Sequence, residues 1–240
     1  MIGKYSFLCV GLVASLAAVS SAQSFTEGFE DITTLAASGW ASQNLSASAS
    51  TSGPLGSHWW QGNANTSVNS SSNFDAHAGG LSSFISTDFG ATTLSAGNLS
   101  NWLFAPVRTL QNGDTFSFFT RAGSFGGTQY ADRLRLMIST SGSSTAVANF
   151  SQVLVINPNL TATGYPLPWT QYTYTVTGLA APISGRFAFQ YDVTDGGAFG
   201  NNSGKIGIDS VAYNAVPEPM TMTVLALGGL LAARRRRNAR

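Results

Sequence analysis

The chain has 240 residues, a formal net charge of +1, and only 10% charged side chains, well under the ~25% usual for globular domains. Ser, Thr, Asn and Gly take the place of the missing charges, so solubility rests on hydroxyls and amides. Between Gln23 and Val216 the cations are Arg108, Arg121, Arg133, Arg135, Arg186 and Lys205, set against ten carboxylates, so this stretch carries −4 and has no basic patch for nucleic acid.

The N-terminus has three parts: Lys4, an apolar run from Phe7 to Val19, and the small residues Ser20-Ser21-Ala22. This is the order of a secretory signal, cleaved after Ala22 to start the mature chain at Gln23. The single cysteine, Cys9, lies inside the apolar run and leaves with it, so the exported body has no thiol or disulfide chemistry. A retained anchor helix is the alternative.

The body from Gln23 to Val216 has 194 residues, enough for one domain with a substantial core. No stretch after Ala22 sustains helical periodicity, whereas several alternate with period two between Gly, Asn, Asp and Pro. Phe116, Phe118 and Thr120 share one face of a strand over Thr115–Arg121, after a turn at Asn112-Gly113-Asp114. In Asp132–Ser139, Leu134, Leu136 and Ile138 oppose Arg133, Arg135 and Met137, and the arginines mark the wet face. Tyr172, Tyr174 and Val176 alternate in Gln171–Val176, as do Phe187, Phe189, Tyr191 and Val193 in Arg186–Val193. In the closing strand Ile206 and Ile208 differ in parity from Val211 and Tyr213, so a bulge near Asp209-Ser210 is expected to bring both pairs inside. Val153–Ile156 and Phe84-Ile85 are shorter strand candidates. Residues 41–56 and 61–73, rich in Ser, Ala, Asn, Thr and Gly, read as long surface connections flanking His58-Trp59-Trp60. The expectation is an all-β, antiparallel two-sheet sandwich, with helices only in the N-terminal signal and the C-terminal apolar segment.

Catalytic signatures are missing from the sequence: no Gly-x-Ser-x-Gly elbow, His-Glu-x-x-His helix, cysteine cluster or phosphate-cradling loop occurs. His77, two residues after Asp75, reads as a loop histidine, since a spacing of two makes no triad. Two constellations carry binding hypotheses. His58, Trp59, Trp60 and Gln61 could present an indole to the apolar face of a sugar. Alternatively, the two indoles point to opposite faces of a short strand, one of them into the core. Glu27, Glu30 and Asp31 near the start and Asp209 in the last strand could supply oxygen ligands to Ca2+ if the terminal strands meet. The alternative is a set of solvated acids, salt-bridged to Arg186 or Lys205.

The C-terminus also has three parts: Val216-Pro217-Glu218-Pro219, the apolar stretch Met220–Ala233, and Arg234, Arg235, Arg236 and Arg237. As a helix its 14 apolar residues would span roughly 21 Å, short of the ~30 Å hydrocarbon core. The arginines would stay on the cytoplasmic side, with the body across the membrane. The pattern resembles the PEP-CTERM sorting signal of Gram-negative bacteria, which implies processing by an exosortase after signal peptidase.

The body resembles the choice-of-anchor J proteins over about residues 25–213. The resemblance rests on Phe29-Glu30, Trp59-Trp60-Gln61-Gly62-Asn63, Ser100–Val107, Gly113–Phe118, Asp132-Arg133-Leu134, Trp169-Thr170-Gln171, Gly185–Phe189 and Ile206-Gly207-Ile208-Asp209. It implies a cleaved-adhesin or MAM-like jelly roll. Such a domain is expected to be non-catalytic and to work at the cell envelope, cell surface or extracellular matrix. The expected role is adhesion or structural association; the alternative, resting on Trp59 and Trp60, is lectin-like binding of exopolysaccharide. An unrecognised hydrolase is the remaining class.

Overall fold

A computed structural model describes residues 24–63 and 74–217. The signal segment and the sorting residues Glu218, Pro219 and Arg234–Arg237 lie outside the described residues, as do both expected helices. Among the described residues no helix is long and apolar enough to cross a membrane.

The strands in chain order are β1 (Phe25–Glu27), β2 (Ala41–Asn44), β3 (Trp60–Gln61), β4 (Ile85–Asp88), β5 (Gly97–Phe104), β6 (Arg108–Leu110), β7 (Thr115–Ala122), β8 (Leu134–Ser139), β9 (Ser151–Ile156), β10 (Thr170–Thr175), β11 (Ile183–Gly196) and β12 (Lys205–Asn214). One sheet runs β10-β7-β12-β4-β3, with β1 also on β12; the other runs β2-β5-β11-β8-β9, with β6 also on β11. Every pairing is antiparallel, so the chain is an all-β two-sheet sandwich.

The core lies where the alternating faces of β7 and β11 meet. Phe116 stacks on Phe187 with centroids 4.5 Å apart, and Phe118 meets Phe189 edge-on at 4.8 Å. All four rings are buried. Truncating any one would remove contacts worth about 3–5 kcal/mol.

The closing strand contains the expected irregularity. The register of β12 against β7 shifts between Asp209 and Ala212, and Ser210 takes the left-handed conformation at φ 49°. That extra residue turns Ile206, Ile208, Val211 and Tyr213 all inward.

Several expectations need correction. Residues 41–44 are not a loop: β2 pairs with β5 through Ala41↔Phe104 to Asn44↔Asn101. The alternation in β8 holds, with Ile138 packed beside Leu134 and Leu136 against the main core, but the opposite face is not wet throughout: the register against β9 shifts between Leu136 and Met137, and Met137 is buried. Met137 joins Trp102, Phe104, Phe150 and Ala188 in a second apolar cluster. Arg186 belongs with it, buried, its guanidinium 5.6 Å from the Phe104 ring and donating to the carbonyls of Ala105, Ser143 and Gly39. Burial lowers its pKa.

Strand β1 places the start of the body beside its end. Phe25 pairs with Tyr213, and the Ala215 N–H donates to Ser24 Oγ at 3.0 Å.

Candidate functional site

The His58–Gln61 segment leads into the edge strand β3, whose pleat divides the tryptophans. Trp59 is fully buried in the main core, so it has no face for a ligand, whereas Trp60 is 37% exposed. The opposite-face alternative therefore describes the pair. Gln61 is a clamp: its side-chain oxygen accepts from the Ile32 N–H at 3.0 Å, and its amide donates to the carbonyls of Phe29 and Ser82, each at 2.7 Å.

His58 is buried and holds Trp60. Its Nε2 lies 2.8 Å from Asp88 Oδ1, and its Nδ1 faces both Ser50 Oγ at 3.3 Å and the Trp60 indole N–H at 3.4 Å. An indole N–H can only donate, so Nδ1 is the acceptor and Nε2 carries the proton towards Asp88. Asp88 also accepts from the Gly90 N–H at 2.8 Å. Asp88, His58 and Ser50 follow the order of a hydrolytic relay, but Ser50 shares Nδ1 with an indole, and its own N–H donates to the Ala91 carbonyl. That N–H cannot serve as an oxyanion donor. What this arrangement does is fix the orientation of an exposed indole.

The four acids proposed for a metal do not assemble as a set. Asp31 turns outward and caps the short 3-10 turn Ile32–Thr34, accepting from the N–H and hydroxyl of Thr33 at 2.9 and 2.6 Å, which lower its pKa. Glu27 accepts from the Phe29 N–H at 2.8 Å; burial and the nearby Glu30 raise its pKa. Asp209 accepts from the N–H groups of His77, Ala78 and Ser210, and burial outweighs these bonds to raise its pKa. Glu30 borders the same segment, since a Cβ at Gly79 would lie 3.6 Å from its Oε1. Among the described residues no three carboxylate or histidine side chains are placed to hold a metal ion. The geometry instead gives Asp209 the task of fixing residues 77–78 to the sheet. His77 stacks there on Phe119, and its Nδ1 meets Ser210 Oγ at 2.9 Å.

One further site leaves almost no trace in the sequence. An open cleft of ≈ 390 Å³ is lined by Phe89, Phe125, Tyr130, Ser203 and the loop Gly197–Gly200. Phe125 stands at 63° to Phe89 and 71° to Tyr130, with centroids 5.8 and 6.1 Å apart, so the rings form a corner rather than a flat platform. Phe199 is 84% exposed. Behind Gly204 lies Asp132, fully buried, its Oδ1 accepting from Tyr191 at 2.6 Å and from the Gly204 N–H at 2.9 Å. Its Oδ2 has no hydrogen-bond partner among the described residues, and burial pushes its pKa up to about 6. The residues involved are far apart in sequence. The one local signal is Phe199, a large aromatic within Gly196-Gly197-Ala198-Phe199-Gly200-Asn201-Asn202.

No family model matches the chain, and no curated protein matches it. Among solved structures it is similar to the K1 cleaved adhesin domain of Lys-gingipain from Porphyromonas gingivalis W83, with 17% identity and a TM-score of 0.48 over 81% of this chain and 99% of that one. The K3 cleaved adhesin domain of the same protein gives 18% identity and a TM-score of 0.44 over 80% of this chain and 98% of that one. A family 11 carbohydrate-binding module from Clostridium thermocellum, in complex with a β-1,3-1,4-mixed-linked tetrasaccharide, gives 12% identity and 0.34 over 82% and 89% respectively.

Proposed function

We propose that the chain is an exported surface or matrix module that acts by adhesion or structural association, without catalysis. The observation that carries this reading is the fixed, exposed Trp60. A partly exposed indole whose N–H is already engaged by a buried histidine offers a rigid contact surface at little entropic cost, the property that enriches Trp in recognition sites. The tripartite termini supply the address: export through signal peptidase, then sorting through Pro217-Glu218-Pro219 and Arg234–Arg237 by an exosortase-type enzyme to the Gram-negative envelope, surface or matrix. A jelly-roll relationship to cleaved adhesins belongs to the same reading.

The second reading is a lectin-like module for exopolysaccharide. Trp60 alone of the pair would stack on the sugar, with His58 as its support rather than as a direct contact. Protein purified after expression of the full chain would be tested for saturable binding to exopolysaccharide of the source organism, with Ca2+ and again with chelator. Binding lost in Trp60→Ala, with the circular dichroism of the parent, supports a matrix lectin, and chelator sensitivity would bring Glu27, Glu30 and Asp209 back as ligands. Binding that survives Trp60→Ala removes the sugar reading at this site, and no binding in either condition favours protein contact. Intact mass tests the address, because retention of residues 1–22 or 234–240 contradicts the corresponding cleavage.

A further inference from the structure

The corner formed by Phe89, Phe125, Tyr130 and Phe199 has a chemistry of its own, distinct from that of Trp60. Among the described residues its lining contains no charged side chain and no side-chain amide, and Ser203 Oγ already accepts from the Gly197 N–H at 2.9 Å. A saccharide, whose recognition needs several hydrogen bonds as well as a flat platform, finds neither here. The ring faces carry negative quadrupole charge, and rings set at steep angles can surround a compact group on more than one side.

The electrostatics point the same way. Among the described residues Asp132 is buried without a cationic partner, and Asp88 adds to the negative charge around it. Asp88 has partners of its own: it accepts from His58 Nε2 at 2.8 Å and lies near Lys205, whose Nζ sits 5.6 Å from the Phe74 ring. The neighbouring Arg133 is held by Asp192 at 2.8 Å. Asp132 and the rings converge at Gly204: a Cβ there would lie 3.1 Å from Asp132 Oδ2, 3.6 Å from Tyr130 Cβ and 3.7 Å from Phe125 Cε2. An uncompensated carboxylate behind an aromatic corner favours a cation that needs no hydrogen bonds.

We propose that this cleft binds an organic cation of the quaternary ammonium type, held by the faces of Phe89, Phe125, Tyr130 and Phe199 and attracted by the buried Asp132. A cleft of this volume lies at the small end of ligand sites, suited to a trimethylammonium headgroup with a short substituent.

The test is titration calorimetry of protein purified after expression of the full chain, with tetramethylammonium, choline, phosphocholine and the uncharged isostere 3,3-dimethylbutanol. The expected result is saturable binding of tetramethylammonium or choline, with the isostere roughly tenfold weaker. Phe199→Ala, at a largely solvated side chain, should leave the melting temperature unchanged and weaken the cation about fivefold, the cost of one ring contact. Asp132→Asn should weaken the cation but not the isostere. Choline tighter than phosphocholine identifies a free cation as the ligand, and the reverse order identifies a phospholipid-type headgroup; both retain the proposal. Equal binding of the uncharged isostere, binding indifferent to Phe199→Ala, or no binding of any quaternary ammonium overturns it. None of these outcomes bears on Trp60, so this site and the glycan reading succeed or fail separately.

Discussion

The imidazole of His58 is held between Asp88 Oδ1, 2.8 Å from its Nε2, and the indole N–H of Trp60, 3.4 Å from its Nδ1. Each ring nitrogen has one role, and the aromatic side chain presented to solvent is positioned by a residue that is itself buried. The connection runs from β4, which ends at Asp88, to the edge strand β3, so sheet pairing sets the geometry before any side chain does.

Replacing His58 by Ala should free the Trp60 indole and leave Asp88 without its ring partner. The expected loss is about 1–3 kcal/mol. A denaturant midpoint lowered with unchanged slope, together with a red-shifted Trp60 emission, is the expected result, using Trp60→Phe to subtract the other tryptophans.

Asp132 gives a pH dependence of definite sign. Burial raises its pKa from the ordinary 3.8 to about 6, against the hydrogen bonds from Tyr191 and Gly204. Between those values the folded state holds a proton that the unfolded state has released, so stability falls as pH rises from about 4 to about 6 and then levels off. The drop is at most roughly 3 kcal/mol. Asp132→Asn should flatten this segment of the profile, measured as denaturant midpoint against pH, and should gain stability over the parent at pH 8.

Tyr213 donates its hydroxyl to Asp114 Oδ2 and lies 3.2 Å from the Thr109 carbonyl. Asp114 is fully buried and also accepts from the N–H groups of Gln111 and Val216, at 2.8 and 2.9 Å. Burial raises the Tyr213 pKa well beyond the normal phenol range, and the Asp114 contact adds to it. Tyr213→Phe should cost about 1–3 kcal/mol, because the ring packing stays while a buried carboxylate loses a donor. Amide exchange at Val216 should accelerate if the carboxylate shifts to compensate.

Asp209→Ala removes the acceptor shared by the His77, Ala78 and Ser210 N–H groups. A destabilisation of about 1–3 kcal/mol is expected, with early proteolysis near residues 76–80. Asp209→Asn, which keeps one oxygen, should be intermediate. Equal protease resistance in the parent and the Ala variant would show that the stacking of His77 on Phe119 suffices to hold the segment.

Where one strand face is apolar and the other polar, the sequence is readable. In β7, Phe116, Phe118, Thr120 and Ala122 go in and Thr115, Ser117, Phe119 and Arg121 stay half-buried, as their alternation implies. The central strand β5 was hidden because both of its faces are covered. Leu99 and Leu103 point to the main core with buried Asn101 between them, donating to Thr87 Oγ1, while Trp102 and Phe104 fill the second cluster. A polar residue at an inward position and aromatics at outward ones erase the period of two. Strand β2, with Ala41-Ser42-Gln43-Asn44, has no hydrophobic signal at all and exists because β5 offers it a ladder of hydrogen bonds.

Length, charge, the two terminal patterns and local alternation are properties of neighbouring residues, and from them the sequence by itself determined the all-β class, the turn at Gly113, the bulge at Ser210 and the acidic character of the body. Which tryptophan is exposed, the transfer of Gln61 and Asp209 from candidate ligands to clamps, and the joining of Phe89, Phe125, Tyr130 and Phe199 into one cleft were decided only by the tertiary structure. Those outcomes depend on which chain segments pack against each other across separations of up to 132 residues, as between His77 and Asp209. Burial and hydrogen-bond partners, unlike periodicity, are set by that packing rather than by sequence neighbours.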